Sequence, residues 1–169
     1  MNKLWSKSAP TSKNSWRLVP LVGFLALSLF GFGINSALAQ SSVPTKASVS
    51  GTITPTGPNT FSLVATGNSS HLGKVRYDGS VTVTNTDSNG VLTTTLIETM
   101  TAANGDTLTL SCNQVAYPIS PGVYHGVDQW TVIGGTGRFS ATTGSGTGDT
   151  YADLNQGIFS KDLSGSINR

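Results

Sequence analysis

The chain is expected to fold as an all-β domain, a small closed antiparallel barrel of about eight strands. Three observations carry that expectation. Beyond the first forty of its 169 residues no stretch keeps a helical period, and runs with β-branched residues recur between turn signals. Asn-Gly and Asp-Gly pairs, which tolerate positive φ at both central turn positions, separate several of these runs. Threonine, with 23 copies, supplies β-branched strand surface without ionic groups. A β-sandwich is the alternative arrangement of the same strands. The barrel is favoured because sequential hairpins close readily and closure removes exposed edges.

The first element is an address rather than a strand. Residues 1–17 hold Lys3, Lys7, Lys13 and Arg17 and no acidic residue. An apolar run, 18–34, follows, and then Ala37-Leu38-Ala39, the small-x-small pattern of a signal-peptidase site. Residues 1–39 are therefore expected to be a signal peptide, cleaved to leave Gln40 or Ser41 first and sending the protein to the periplasm or outside the cell. The alternative is a membrane anchor formed by residues 18–34. That run reaches only the low end of the spanning range and contains Pro20.

Removing the leader changes the charge. The whole chain carries +2, but residues 40–169 hold six basic and eight acidic residues, a net −2. Nucleic acid and anionic membranes are poor partners for such a domain. Charged residues are only 11% of the chain, which argues against a charge-rich disordered segment or a coiled coil.

Residues 40–47 are expected to be a flexible tail, and 48–169 the barrel domain. Within it, 48–53 and 59–66 are the first strands. Asp78-Gly79 is expected to turn the chain between strands 71–77 and 80–86. Asn89-Gly90 then leads into 91–100, and Asn104-Gly105 into 107–116. After Pro118, Pro121 and Gly122 comes a long strand, 123–133. Residues 138–142, 147–154 and 157–167 complete the set, the last two joined at Asn155-Gln156. The glycine-rich stretch 142–148 is expected to be a flexible loop. An outer-membrane barrel is disfavoured because 91–97 mixes polar and apolar residues on both faces, so no membrane span is expected in the mature protein.

Strand parity nominates residues for chemistry. Glu98, the only glutamate, shares a face with Leu92, Leu96 and Met100. Asp128 shares a face with Tyr124, Trp130 and Val132. If those faces line the lumen, two carboxylates stand in a partly apolar pocket, where such groups can do acid–base work. The competing expectation is that they face water, or that Glu98 pairs with a cation such as Arg138. Tyr124 and Trp130 are candidate ligand-stacking aromatics, or equally aromatics of the core or the barrel mouth. Cys112 alternates with Leu108 and Leu110 and is expected to be a buried, inert thiol; as the only cysteine it can form no internal disulfide. His71 and His125 lack any metal-ligand spacing, so no metal or cofactor is indicated. A Cys112–His125–Asp128 triad is arithmetically open, with no local sequence to support it.

The most distinctive segment is Gly134-Gly135-Thr136-Gly137-Arg138-Phe139. No helix pattern follows it, as a phosphate loop would need, so it is expected to be a tight strand connection with Phe139 in the core. Together with the strand 130–133 before it and Ala141, Thr143 and Gly144 after it, this segment resembles the dirigent and allene oxide cyclase barrel superfamily. There a strand runs into G-G-T/S-G-x-F and a short A-x-G element. Residues 101–106 and 71–74 also look like those of bacterial secreted proteins of this type. The resemblance covers 48–167 and implies an eight-stranded barrel with a central cavity. Dirigent proteins hold phenoxy radicals and steer their coupling; allene oxide cyclases close an epoxide into a cyclopentenone. Gly134, Gly135, Gly137, Arg138 and Phe139 carry over as fold residues, and no pocket residue of either family maps onto this chain. The bridged cysteine pair typical of dirigent proteins is missing.

Three functions are consistent with these residues. The first is a secreted, non-enzymatic barrel binding a small apolar or aromatic ligand. The second is an isomerase of the cyclase type using Glu98 and Asp128. The third is a structural or surface-associated interaction protein, with room for a homo-oligomer.

Overall fold

The computed structural model describes residues 41–169. Eight strands, β1 (Ser42–Gly57), β2 (Thr60–Ser69), β3 (Gly73–Thr86), β4 (Leu92–Ala102), β5 (Thr107–Ser120), β6 (Val123–Gly135), β7 (Thr143–Asp153) and β8 (Ile158–Asn168), follow one another around a closed barrel. Every neighbouring pair is antiparallel, and β1 closes the ring by pairing with β8 from Ser42↔Asn168 to Thr52↔Ile158. This is the up-and-down barrel expected from the hairpin signals.

Alternation builds the interior. On β4, Thr94, Leu96, Glu98, Met100 and Ala102 are buried, and the residues between them face outward. On β8 the inward set is Phe159, Lys161, Leu163, Gly165 and Ile167. One end of the lumen is filled by side chains: Phe139, Trp130, Leu108, Met100, Val75 and Ile167. The opposite end, where β1–β2, β3–β4, β5–β6 and β7–β8 connect, is open.

Asn89-Gly90 and Asn104-Gly105 turn as expected, with Gly90 at φ 78° and Gly105 at φ 86°. Asp78-Gly79 does not. It lies inside β3, where Asp78 pairs with Val64 and Thr99, and Gly79 with Leu63 and Glu98. A Cβ on Gly79 would sit 3.3 Å from Leu63, a slightly tight contact, and 3.5 Å from Glu98, an ordinary one. The actual reversal is at 70–72, closed by Gly73 at φ 72°.

Three further expectations are corrected. Residues 42–47 are not a tail: they pair with β8, and Ala47 is buried in the core. Residues 138–142 are not a strand. Gly137–Phe139 forms a single 3-10 turn that drives Phe139 into the closed end. The glycine-rich stretch 142–148 is not a flexible loop: from Thr143 on it is the first half of β7, with Gly146 opposite Gly165 and Gly148 opposite Leu163. A Cβ on either Gly146 or Gly165 would lie 2.5 Å from the Trp130 ring, so both glycines are the room the indole occupies.

Candidate functional site

Three charged side chains meet at mid-height in the lumen. Glu98 comes from β4, Asp128 from β6 and Lys161 from β8. All are buried, Glu98 and Asp128 completely. The Lys161 stem crosses the barrel, and its ammonium donates to Glu98 Oε1 and lies 3.0 Å from Asp128 Oδ2. Glu98 Oε2 accepts from the Cys112 thiol at 3.1 Å. Asp128 Oδ2 accepts from the Thr150 hydroxyl at 3.0 Å, and Asp128 Oδ1 has no partner. Gly148 makes the site geometrically allowed, since a Cβ there would stand 2.7 Å from Asp128 Oδ2.

The electrostatics follow from burial. Desolvation alone would drive a proton off Lys161, but the attraction of Glu98 and Asp128 outweighs it and holds the ammonium's pKa above its ordinary value. Desolvation and then the charge of Glu98 push the Cys112 thiol up, which keeps it protonated and poorly nucleophilic. The same two causes raise the Tyr77 hydroxyl, and Tyr77 is wholly buried.

Above this layer, toward the open end, lies a small cavity with about 50 Å³ of space open to water. Its walls are apolar: Ile53, Phe61, Leu92, Ala116, Tyr124, Ala152 and Phe159 among others. Its polar lining is Thr94, Gln114, Thr150 and Lys161. Neither Glu98 nor Asp128 reaches it; Lys161 and Thr150, which bond them, do.

The nominated residues thus separate. Glu98 and Asp128 share the lumen and are bridged by Lys161, not by Arg138. Arg138 is on the outside of the closed end, where it donates to the His71 carbonyl at 2.7 Å, approaches Asp106 at 3.6 Å and lies over the Phe139 ring. Gly137 packs its backbone where a Cβ would strike Asp106, and Gly135 where one would meet the Phe139 and Thr107 carbonyls, while Gly134 has open space around it. Tyr124 lines the cavity. Trp130 does not: it is 3% exposed, below the charged layer, and its indole N–H donates to the Thr147 carbonyl at 3.0 Å. The Cys112–His125–Asp128 triad is not formed, because His125 is on the outer face bonded to Asp149 at 2.9 Å. Lys161 escaped the sequence reading, although it carried a signal. Phe159, Leu163 and Ile167 flank it at every second position, so a lysine on that face must point inward.

Fold and site together define a closed up-and-down barrel, plugged at one end, with a charged belt beneath an open apolar cavity. No family model matches the chain, and no curated protein matches it. Among solved structures it is similar to the pterocarpan synthase dirigent protein GePTS1, at 16% identity and a TM-score of 0.45, over 76% of this chain and 90% of that one.

Proposed function

We propose that this is an exported barrel protein that takes a small apolar or aromatic ligand into the open half of its lumen and does no chemistry of its own on it. The observation that carries the reading is the asymmetry of the interior. One end is packed solid, while the other keeps a cavity with apolar walls and a few convergent polar groups, the usual make-up of a small-molecule site. The cyclase reading would need a carboxylate on the cavity wall. Here both carboxylates are behind Lys161 and Thr150, engaged in bonds. Native mass spectrometry of the purified protein tests the reading. A small molecule carried through purification is expected, and Ala116→Phe, which fills the cavity from β5, should abolish it. Failure of the wild-type protein to bind any apolar or aromatic probe would overturn the proposal.

Export rests on the leader pattern of residues 1–39, which lie outside the described residues. β1 begins at Ser42, so cleavage after Ala39 leaves the whole barrel intact. The mass of the protein recovered from a secreting host should correspond to a chain starting at Gln40 or Ser41. Retention of the leader in the membrane fraction would favour the anchor instead.

A second reading has its own support on the outer face. Val115 stands opposite Val127, and Tyr117 and Tyr151 flank His125 from either side, so Val115, Tyr117, Val127 and Tyr151 are exposed across β5, β6 and β7. Such a patch suits contact with another protein surface or a second copy. Sedimentation as a monomer at every concentration would count against self-association.

A further inference from the structure

We infer that the cavity selects neutral ligands that present a hydrogen-bond acceptor, such as a ketone carbonyl, at their leading end, and that Gln114 is the residue that reads this group. The inference rests on the lumen-binding proposal and narrows it to a chemical class.

Gln114 is on β5 with its side chain in the lumen, 8% exposed, on the lining of the cavity. Its amide has two ends with different fates. Oε1 accepts from the Thr94 hydroxyl at 3.3 Å. Nε2 has no partner at all and is buried. A primary amide nitrogen brings two N–H donors, and burying it unpaired is costly, so an unpaired donor on a residue of the cavity lining favours a ligand that brings it an acceptor. The chain also makes way for this amide. Gly126, the neighbouring inward position on β6, would set a Cβ 2.6 Å from Nε2. Any side chain there would push the amide from its position.

The groups beside Gln114 set the charge of what can enter. Lys161 also lines the cavity, but its ammonium donates to Glu98 and is ion-paired with Asp128 at 3.0 Å. Two carboxyl groups face one ammonium, so the layer holds no surplus positive charge for an anion. A carboxylate ligand would have to leave water for apolar walls with no counter-charge of its own. A neutral carbonyl needs only the donor that Gln114 Nε2 supplies. Gln114 Oε1 already accepts one bond, from Thr94, so Nε2 is the end of the amide with no partner.

The experiment uses four probes on one phenyl frame: ethylbenzene, acetophenone, phenol and benzoate. Each is titrated into the purified wild-type protein and into Gln114→Leu, followed by calorimetry. Acetophenone differs from ethylbenzene by one carbonyl. It is expected to bind about tenfold more tightly than ethylbenzene to the wild type and equally to Gln114→Leu. Benzoate is expected to bind most weakly. In the wild type, acetophenone should also move the side-chain amide resonances of Gln114, a measurement that does not depend on the variant folding. If ethylbenzene binds as tightly as acetophenone, or if phenol or benzoate binds best, the selection by Gln114 is wrong while the lumen reading stands. If none of the four binds, the lumen reading falls and this inference with it.

Discussion

Lys161 governs the interior through its charge. Two buried carboxylates without it would be left uncompensated, and removing one partner of a buried ion pair typically costs about 3–5 kcal/mol. Lys161→Met is therefore expected to destabilise the barrel by about that amount in urea denaturation, and Glu98→Gln by less, since the ammonium keeps Asp128. The combined replacement of Glu98, Asp128 and Lys161 by Leu, Asn and Met should recover much of the loss, because desolvating the three charges is itself costly. Additive losses in the triple variant would contradict this. Cys112 gives a second prediction at the same scale. Fully buried and donating to Glu98, it should resist alkylation by iodoacetamide at neutral pH in the native protein and react only at the rate of global unfolding. Rapid labelling without unfolding would show that the belt opens.

At the level of elements, glycine placement decides how β7 and β8 sit. Gly146 and Gly165 face each other across the two strands, and the Trp130 ring takes the space where their side chains would be. Gly165→Ala is expected to cost about 1–3 kcal/mol, as overpacking of a filled core does, and to shift the Trp130 emission as the ring is displaced. An unchanged midpoint and spectrum would mean the strands can part freely. The same element shows where sequence legibility ended. Glycine clusters at 78–79 and 142–148 carry the composition of turns and loops, yet they lie within β3 and β7. A missing side chain serves a tight turn and a close packing contact alike, and composition does not distinguish the two demands. Where Asn preceded Gly, at 89–90 and 104–105, the turn was legible, because both residues tolerate positive φ. Phe139 at the end of the glycine segment was legible as core. That its segment winds into a 3-10 turn, from which Arg138 reaches Asp106 and the His71 carbonyl on neighbouring loops, depends on contacts distant in sequence.

Across the whole molecule, stability should fall on the alkaline side. Cys112, Tyr77 and Lys161 each titrate higher in the folded barrel than in the free chain. The unfolded chain starts to lose these protons near the ordinary thiol value of 9.0, then at 10.0 for Tyr77 and 10.5 for Lys161, while the folded barrel keeps them. The unfolded state then binds fewer protons, so the free energy of unfolding declines as pH rises. The urea midpoint is expected to drop progressively above about pH 9, and more gently in Cys112→Ala. A midpoint unchanged up to pH 11 would show that the belt is not sealed from solvent.

The β-branched runs, the Asn-Gly turns and the absence of helical period already point to a run of antiparallel strands, with a closed barrel favoured over a sandwich. They also put Glu98 on one face with Leu96 and Met100, Asp128 on one with Trp130 and Val132, and Cys112 with Leu108 and Leu110, because side-chain direction in a strand has period two and is therefore written locally; which face lines the lumen they left open for the carboxylates. Which inward residues touch is another matter. Lys161 stands 63 positions from Glu98 in the chain, and barrel closure alone brings their strands to opposite walls of one lumen. The same closure leaves one end full and the other open, sets Trp130 below the charged belt and Tyr124 above it, and leaves Gln114 Nε2 without a partner. Those outcomes depend on shear, side-chain volume and register summed over eight strands, quantities that exist only once the ring is closed.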